Sequence, residues 1–232
     1  MGRGRMDSRK SIQQSGMIYC PSIIDLGDTM SIDAYNESKA LQAEFVEWIS
    51  DYIDISGYPY MCVTAGITEA VNYCSINNED GFQIIDNGEY RWISEFLNLD
   101  TVKVDIDSIK PNKDLYITNP QGGSGNYYSD TDWQNILDTP CNKILDLAYI
   151  MTTKKRKMVI NDTISEIYFS MSKSFGVYGL RLGLSFHKEQ PNGIWYLQRR
   201  GYFNHQTMRH IKHIINNYSP EHAYQTFKDQ QE

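Results

Sequence analysis

Seven short runs rich in β-branched and aromatic residues, at 60–64, 82–85, 102–106, 115–118, 143–147, 164–170 and 182–186, are spread through the chain with helical stretches among them. Strands separated in this way cannot all pair as tight hairpins. They need crossover connections, and those place helices on the faces of a mostly parallel sheet. The predicted class is therefore α/β, a three-layer α/β/α arrangement. In such sheets ligands bind outside the carboxyl ends of the strands, so the segments just after the strands are where chemistry is expected.

The helical stretches carry the matching period. Residues 33–54 place Leu41, Phe45, Trp48, Ile49 and Tyr52 at helical spacing, with Asp33 as a candidate cap and Gly57 and Pro59 as terminators. Residues 68–76 read as a second helix, and 206–218, with Met208, Ile211, Ile215 and Tyr218, as a last amphipathic one. Residues 1–16 are polar, basic and without period, which predicts a flexible tail. The rest, 17–232, is long enough to bury one sizeable core and is predicted to be a single domain.

A formal charge of -7 argues against holding a nucleic-acid backbone over a broad surface. The local basic runs, Arg3 to Lys10 and Lys154 to Lys157, read as a solvated tail and a solvated turn. Cys20, Cys62, Cys74 and Cys141 fit neither a zinc site nor a disulfide framework, which predicts a reducing, cytoplasmic setting. No apolar run reaches the length of a membrane span. His205, His210 and His213 lie close in sequence, but no carboxylate or cysteine nearby completes a metal set, so they read as ordinary helix residues.

One stretch dominates the chemistry: S-M-S-K-S-F-G-V-Y-G-L-R-L-G at 170–183. A lysine follows a predicted strand, hydroxyls flank it, glycines permit a tight turn, and Arg181 stands eight residues on. Lys173 offers an amine that can hold an aldehyde, and Ser170, Ser172 and Arg181 offer donors for a phosphate, the arginine as a planar fork. The stretch resembles the S-x-S-K-x-x-G-x-x-G-x-R-x-G pattern of the fold-type I, pyridoxal phosphate (PLP)-dependent aminotransferases, of the aspartate aminotransferase-like superfamily, at every fixed position.

Other segments extend the resemblance over residues 20 to 190. V-T-A-G-I-T-E-A at 63–70 reads as strand, glycine turn and helix start; it looks like the family's phosphate-cradling turn, with Gly66, Ile67 and Thr68 facing the anion. L-D-L-A-Y at 145–149 is similar to the family's D-x-A-Y segment. The resemblance implies that Asp146 keeps the pyridine nitrogen protonated and that Tyr149 donates to the ring's phenolic oxygen. T-N-P-Q-G-G-S-G at 118–125 resembles the N-P-x-N-P-T-G loop in Asn119, Pro120 and Gly125, with Ser124 in place of Thr. Gly122 stands where the family has its second Asn, leaving Asn119 or Asn126 to supply that contact. In N-G-E-Y-R-W at 87–92, Tyr90 is the expected ring-stacking aromatic, with Trp92 second. I-I-D-L-G at 23–27 resembles the segment that closes over the family's site.

The resemblance thus implies a PLP Schiff base on Lys173, with Lys173, Asp146 and Tyr149 as catalytic residues. It implies an enzyme acting on a small amino compound with a keto acceptor, most simply an aminotransferase. Decarboxylases, aldolases and lyases share the apparatus, and a PLP-binding protein without turnover is a third reading. Only about forty residues follow 183–190, so most of the family's small C-terminal domain is absent, and Arg199 and Arg200 read as solvated rather than as the family's substrate-gripping arginine. A homodimer with shared active sites is expected, because such a cleft has few walls of its own.

Overall fold

The computed structural model describes residues 34–78, 80–86, 89 and 101–230. Tyr35–Glu232 forms one compact unit, and of the other, Met1–Ala34, only Ala34 is described. Asp33, the 1–16 tail, its boundary with 17–232, the 23–27 segment, Tyr90 and Trp92 lie outside the described residues.

The described elements run α1 (Ala34–Ile49), β1 (Tyr60–Ala65), α2 (Ile67–Asn77), β2 (Gln83–Ile85), β3 (Val102–Val104), β4 (Leu115–Thr118), α3 (Asp130–Asp138), β5 (Lys143–Leu147), β6 (Ile164–Ser170), β7 (Leu182–His187), α4 (Ile194–Arg199), α5 (His205–Asn217) and α6 (His222–Phe227). All seven runs read as strands from the sequence are strands of one sheet, ordered β1-β7-β6-β5-β4-β2-β3. Only β7 runs against its neighbours, β1 and β6; the remaining pairs are parallel. The reason lies in the connection. Between β6 and β7 the chain has only residues 171–181, too few for a helical crossover, so β7 must turn back beside β6. That short connection is the lysine segment.

Side-chain alternation sorts the sheet into two unlike faces. Ile167 and Phe169 of β6 and Leu182, Leu184 and Phe186 of β7 join the main core with Leu41, Phe45 and Ile49 of α1. Phe45 lies edge-on to Phe169 at 4.9 Å and stacked on Phe186 at 5.5 Å, and all three rings are buried. Replacing such a ring with alanine typically costs about 3–5 kcal/mol. Met208, Ile211 and Ile214 of α5 and Trp133, Ile136 and Leu137 of α3 join the same core. On the other face, Ala70, Val71 and Cys74 of α2 pack against Ile84, Tyr116, Ile144 and Tyr168.

The helix expected over 33–54 ends at Ile49, earlier than the Gly57 and Pro59 terminators suggest. A tertiary partner takes the next residues: Met158 N donates to Tyr52 O (2.7 Å), and Ile53 pairs with Met158 in a parallel bridge. Helix α3 has no counterpart in the sequence reading. It starts where the Ser129 side chain accepts from Asp132 N, a cap legible in S-D-T-D but followed by only a short apolar stripe.

Candidate active site

The chain ends of β1, β4, β5 and β6 meet at one edge of the sheet, together with the start of β7. A cavity of about 280 Å³ opens there, lined by Ile67, Thr68, Thr118, Asp146, Tyr149, Ser170, Ser172, Lys173 and Arg181 among others. Of the site residues read from the sequence and described in the structure, all but Gly66 and Asn119 line it.

The lysine segment is held by its own backbone. Phe175 N donates to Met171 O (3.1 Å), Val177 N to Ser172 O (3.2 Å), and Met171 N closes the loop on Leu182 O (3.0 Å). Lys173 sits on the exposed side of this turn, its ammonium 5.3 Å from the Tyr178 ring centre and 5.9 Å from that of Tyr149. Among the described residues its charge meets these aromatic faces rather than a carboxylate.

Two glycines join this segment to the β1–α2 turn. A Cβ on Gly183 would stand 2.5 Å from Thr64 Oγ1 and 2.7 Å from Gly66 Cα, so only glycine lets β7 lie this close to the end of β1. Gly66 has φ +73°, and a Cβ there would stand 2.8 Å from Arg181 Nη2. Arg181 is thereby laid across the turn and donates to Thr68 Oγ1 at 2.8 Å. Gly66 thus shapes the site through its backbone. The first N–H groups of α2 have no acceptor inside the helix and point to this corner, where the arginine already stands. Ser172 Oγ is buried and has no hydrogen-bond partner among the described residues. Ser170 Oγ accepts from Ser172 N at 3.2 Å. Guanidinium, hydroxyls and helix N-terminus make a corner suited to a dianion.

Asp146 lies two strands away from β7, roughly 10 Å by the usual strand spacing. It is buried, accepts from Tyr116 Oη at 2.5 Å and from Ala148 N at 2.8 Å, and burial pushes its carboxyl up to about 6 against those two donors. Asn119 stands beside it: its N donates to Asp146 O at 3.0 Å, and the Asn119–Pro120 bond is cis. Its side-chain oxygen is turned to Tyr128 N (3.4 Å), away from the cavity lining.

Three residues here were not singled out by sequence reasoning. Glu89 is buried, accepts from Thr118 N at 2.8 Å and from Thr118 Oγ1, and burial pushes it up to about 8. Its segment was read for Tyr90, and nothing local in N-G-E-Y marks the carboxyl as buried. Tyr116 could have been found: it is two residues before Thr118, which pairs with Asp146, so all three point to one face of the sheet. Tyr178 occupies a variable position of the lysine motif.

The model of the family described as aminotransferase class I and II matches residues 81–224. The chain belongs to this family. The cofactor of these aminotransferases is PLP, as the lysine motif implies. Solved structures share the aminotransferase fold at low identity. An aminotransferase from Staphylococcus aureus has a TM-score of 0.60 and 15% identity, covering 87% of this chain and 61% of its own. An L-threonine-O-3-phosphate decarboxylase from Porphyromonas gingivalis scores 0.59 at 13% identity, covering 82% and 62%. A PLP-bound C-S lyase from Staphylococcus hominis scores 0.56 at 14% identity, covering 90% and 60%. This aminotransferase-family chain therefore spans about three fifths of the length of those proteins. No curated protein sequence matches it. Among the described residues no helix is long and apolar enough to cross a membrane, and no cluster of His, Cys, Asp and Glu could hold a metal ion.

Proposed function

We propose that this chain binds PLP on Lys173 and acts on a small amino compound, as an aminotransferase with a keto acid as acceptor. One observation carries the reading: an amine, an unpartnered buried hydroxyl and a buried carboxyl converge on one cavity of cofactor size.

The residues present fit the group. Arg181, Ser170, Ser172, Thr68 and the start of α2 would hold the phosphate. Ser172 Oγ has no partner among the described residues, which is what a donor reserved for a ligand looks like. Asp146 would hold a proton at the ring nitrogen, and Tyr149 would donate to the ring oxygen. Bound there, PLP supplies an electron sink for charge developing on a substrate carbon. Lys173 first anchors the cofactor. With substrate in the site, its Nζ would take a proton from the substrate's α-carbon as a base and return it as an acid. Tyr149 and Tyr178 keep that amine over the cavity by their ring faces. Tyr90 is the proposed ring-stacking aromatic, while the ring-oxygen contact expected of Asn119 is left out of the proposal, because its side chain is turned to Tyr128.

The lip of the site motivates a shared-site homodimer. Tyr178 is 59% exposed and Leu180 45%, both on the segment that carries Lys173. A partner subunit covering that segment would exclude water from the cleft. Sedimentation at several concentrations, with and without PLP, tests this part; a monomer that binds PLP tightly throughout refutes it.

The central experiment is an absorption titration of the purified protein with PLP, followed by amino donors with and without a keto-acid acceptor. Borohydride reduction and peptide mapping should place a pyridoxyl group on Lys173. A label elsewhere, or none, rejects the assignment. Turnover independent of any keto acid would point to lyase or decarboxylase chemistry, and cofactor binding with no amine exchange to a protein without turnover.

A further inference from the structure

The turn that carries Thr68 hangs on an end strand of the sheet. β1 lies last in the strand order, and among the described residues β7 is its only strand neighbour. The free side of such a strand presents N–H groups with no ladder partner. Here two side chains take them. Gln198 of α4 accepts from Val63 N at 3.1 Å through Oε1, and Glu69 of α2 accepts from Ala65 N at 2.5 Å through Oε2.

Glu69 closes a short circuit. Ala65 is the last residue of β1 and Glu69 the third of α2, so one carboxylate ties the end of the strand to the first turn of the helix across Gly66. Inside that circuit Gly66 N donates to Thr64 O (2.8 Å) and Glu69 N to Gly66 O (3.3 Å). The position of the turn is exacting. A Cβ on Gly183 would meet Gly66 Cα at 2.7 Å, and a Cβ on Gly66 would meet Arg181 Nη2 at 2.8 Å. A displaced end of β1 would part Thr68 from Arg181, which meet at 2.8 Å. The carboxylate itself is kept off the cofactor cavity. Ile67 and Thr68 line that cavity, whereas Glu69 lines a different one of about 300 Å³ with Val63, Ala65 and Gln198.

We propose that Glu69 is a positioning residue for the cofactor phosphate. By holding Ala65 N it sets the β1–α2 turn so that Thr68, the first N–H groups of α2 and Arg181 converge on one anion, while Gln198 holds the same strand two residues earlier. This role rests on the PLP reading above and gives Glu69 no contact with the cofactor. By charge alone a carboxylate near a phosphate corner weakens the binding of a dianion. By geometry Glu69 strengthens it. The two effects have opposite signs and can be told apart.

Equilibrium titrations of the full chain with PLP and with pyridoxal, followed by absorption, separate them. Glu69→Ala removes the charge and the acceptor together. It should weaken PLP about tenfold and change pyridoxal, which lacks the phosphate, by less than about twofold. Glu69→Gln removes the charge but keeps an oxygen for Ala65 N, and should bind PLP at least as tightly as wild type. Without cofactor, the Ala65 amide should exchange its hydrogen faster in Glu69→Ala than in wild type or Glu69→Gln. Tighter PLP binding in both variants would mean that Glu69 acts by charge alone and overturns the proposal. Equal losses of PLP and pyridoxal in Glu69→Ala overturn it too, because Glu69 then serves only the fold. Both results leave the cofactor reading standing, whereas a wild type that binds neither ligand overturns both. Should Glu69→Ala fold poorly, Glu69→Asp serves: it keeps the charge, draws the oxygens back by one methylene, and should weaken PLP with the same selectivity. Unchanged PLP affinity in Glu69→Asp overturns the proposal.

Discussion

Two cavities open on the face of the sheet that α2 covers, at opposite ends of the strands, and they differ in how their polar groups are used. The one at the amino ends of β5 and β6 is the larger, about 390 Å³ against 280 Å³. Its polar groups close on one another. His187 Nε2 lies 2.9 Å from Ser185 Oγ, and His187 Nδ1 lies 3.2 Å from a Glu166 carboxylate oxygen, off the hydrogen-bonding line. Tyr168 Oη donates to Glu166, and Asn78 donates to Asp114 at 2.9 Å. Among the described residues, the site at the carboxyl ends leaves capacity unspent: Ser172 Oγ has no partner, the buried carboxyls of Asp146 and Glu89 are both raised by burial, and Lys173 faces rings. Size does not single out the candidate site; an amine, an unpartnered hydroxyl and a buried carboxyl meeting in one cavity do.

The contrast can be broken in four ways. The largest effect is expected from Lys173→Ala, which should remove covalent cofactor and lower turnover by about a thousandfold or more, with the fold intact by circular dichroism. Residual activity near wild type would place the chemistry elsewhere. Next comes Asp146→Asn, which should keep PLP in the protein but reduce proton transfer about a hundredfold or more, measured as exchange of the substrate's α-hydrogen with solvent. Normal exchange would make Asp146 a structural strand end. Arg181→Ala should weaken PLP about tenfold or more in equilibrium titrations and leave pyridoxal, which has no phosphate, nearly unaffected. Equal losses would mean that Arg181 serves the Gly66 turn alone.

The smallest effect is a difference in pH response between the two ends. Asp146 and Glu89 have ordinary values of 3.8 and 4.5 and are raised to about 6 and about 8. Between those limits the folded chain binds more protons than the unfolded one, so stability falls as pH rises through the window. Glu166 behaves oppositely. Burial works to raise it, but His187 and Tyr168 together hold it below 4.5, so its contribution is present above that pH and is lost as pH falls through the folded value. Thermal melts of the cofactor-free protein should therefore decline from about pH 5 to 8, and Glu89→Gln should flatten the upper part of that decline. His187→Gln should lower stability by about 1–3 kcal/mol and leave PLP affinity unchanged. A loss of affinity in that variant would show that the two ends are coupled after all.

Much of this was legible in residue order because the determinants are local. Strand runs announce themselves by β-branched content, and in 170–183 the anchor, the hydroxyls and the arginine sit within one connection. What escaped was set by contacts distant in sequence. Helix α1 stops at Ile49 because Met158, more than a hundred residues on, takes the backbone of Tyr52 and Ile53. Glu89 is buried only because Thr118, 29 residues away, grips both of its oxygens. Asn119 faces Tyr128 rather than the cavity, a matter of how the loop turns after β4.

By itself the sequence determined the class of sheet, its seven strands, the family and the lysine at its centre, since each follows from spacing and residue type over short stretches. Only the tertiary structure decided which carboxyls are buried, that Gly183 must lack a side chain so that the β1 turn can carry Arg181 into the cavity, and that an amine, a hydroxyl and a carboxyl meet in one of two polar cavities. The physical reason is that burial and pairing are properties of neighbours. A carboxyl's charge and a hydroxyl's freedom are fixed by what the fold brings against them, and residue order does not contain that until the strands are laid side by side.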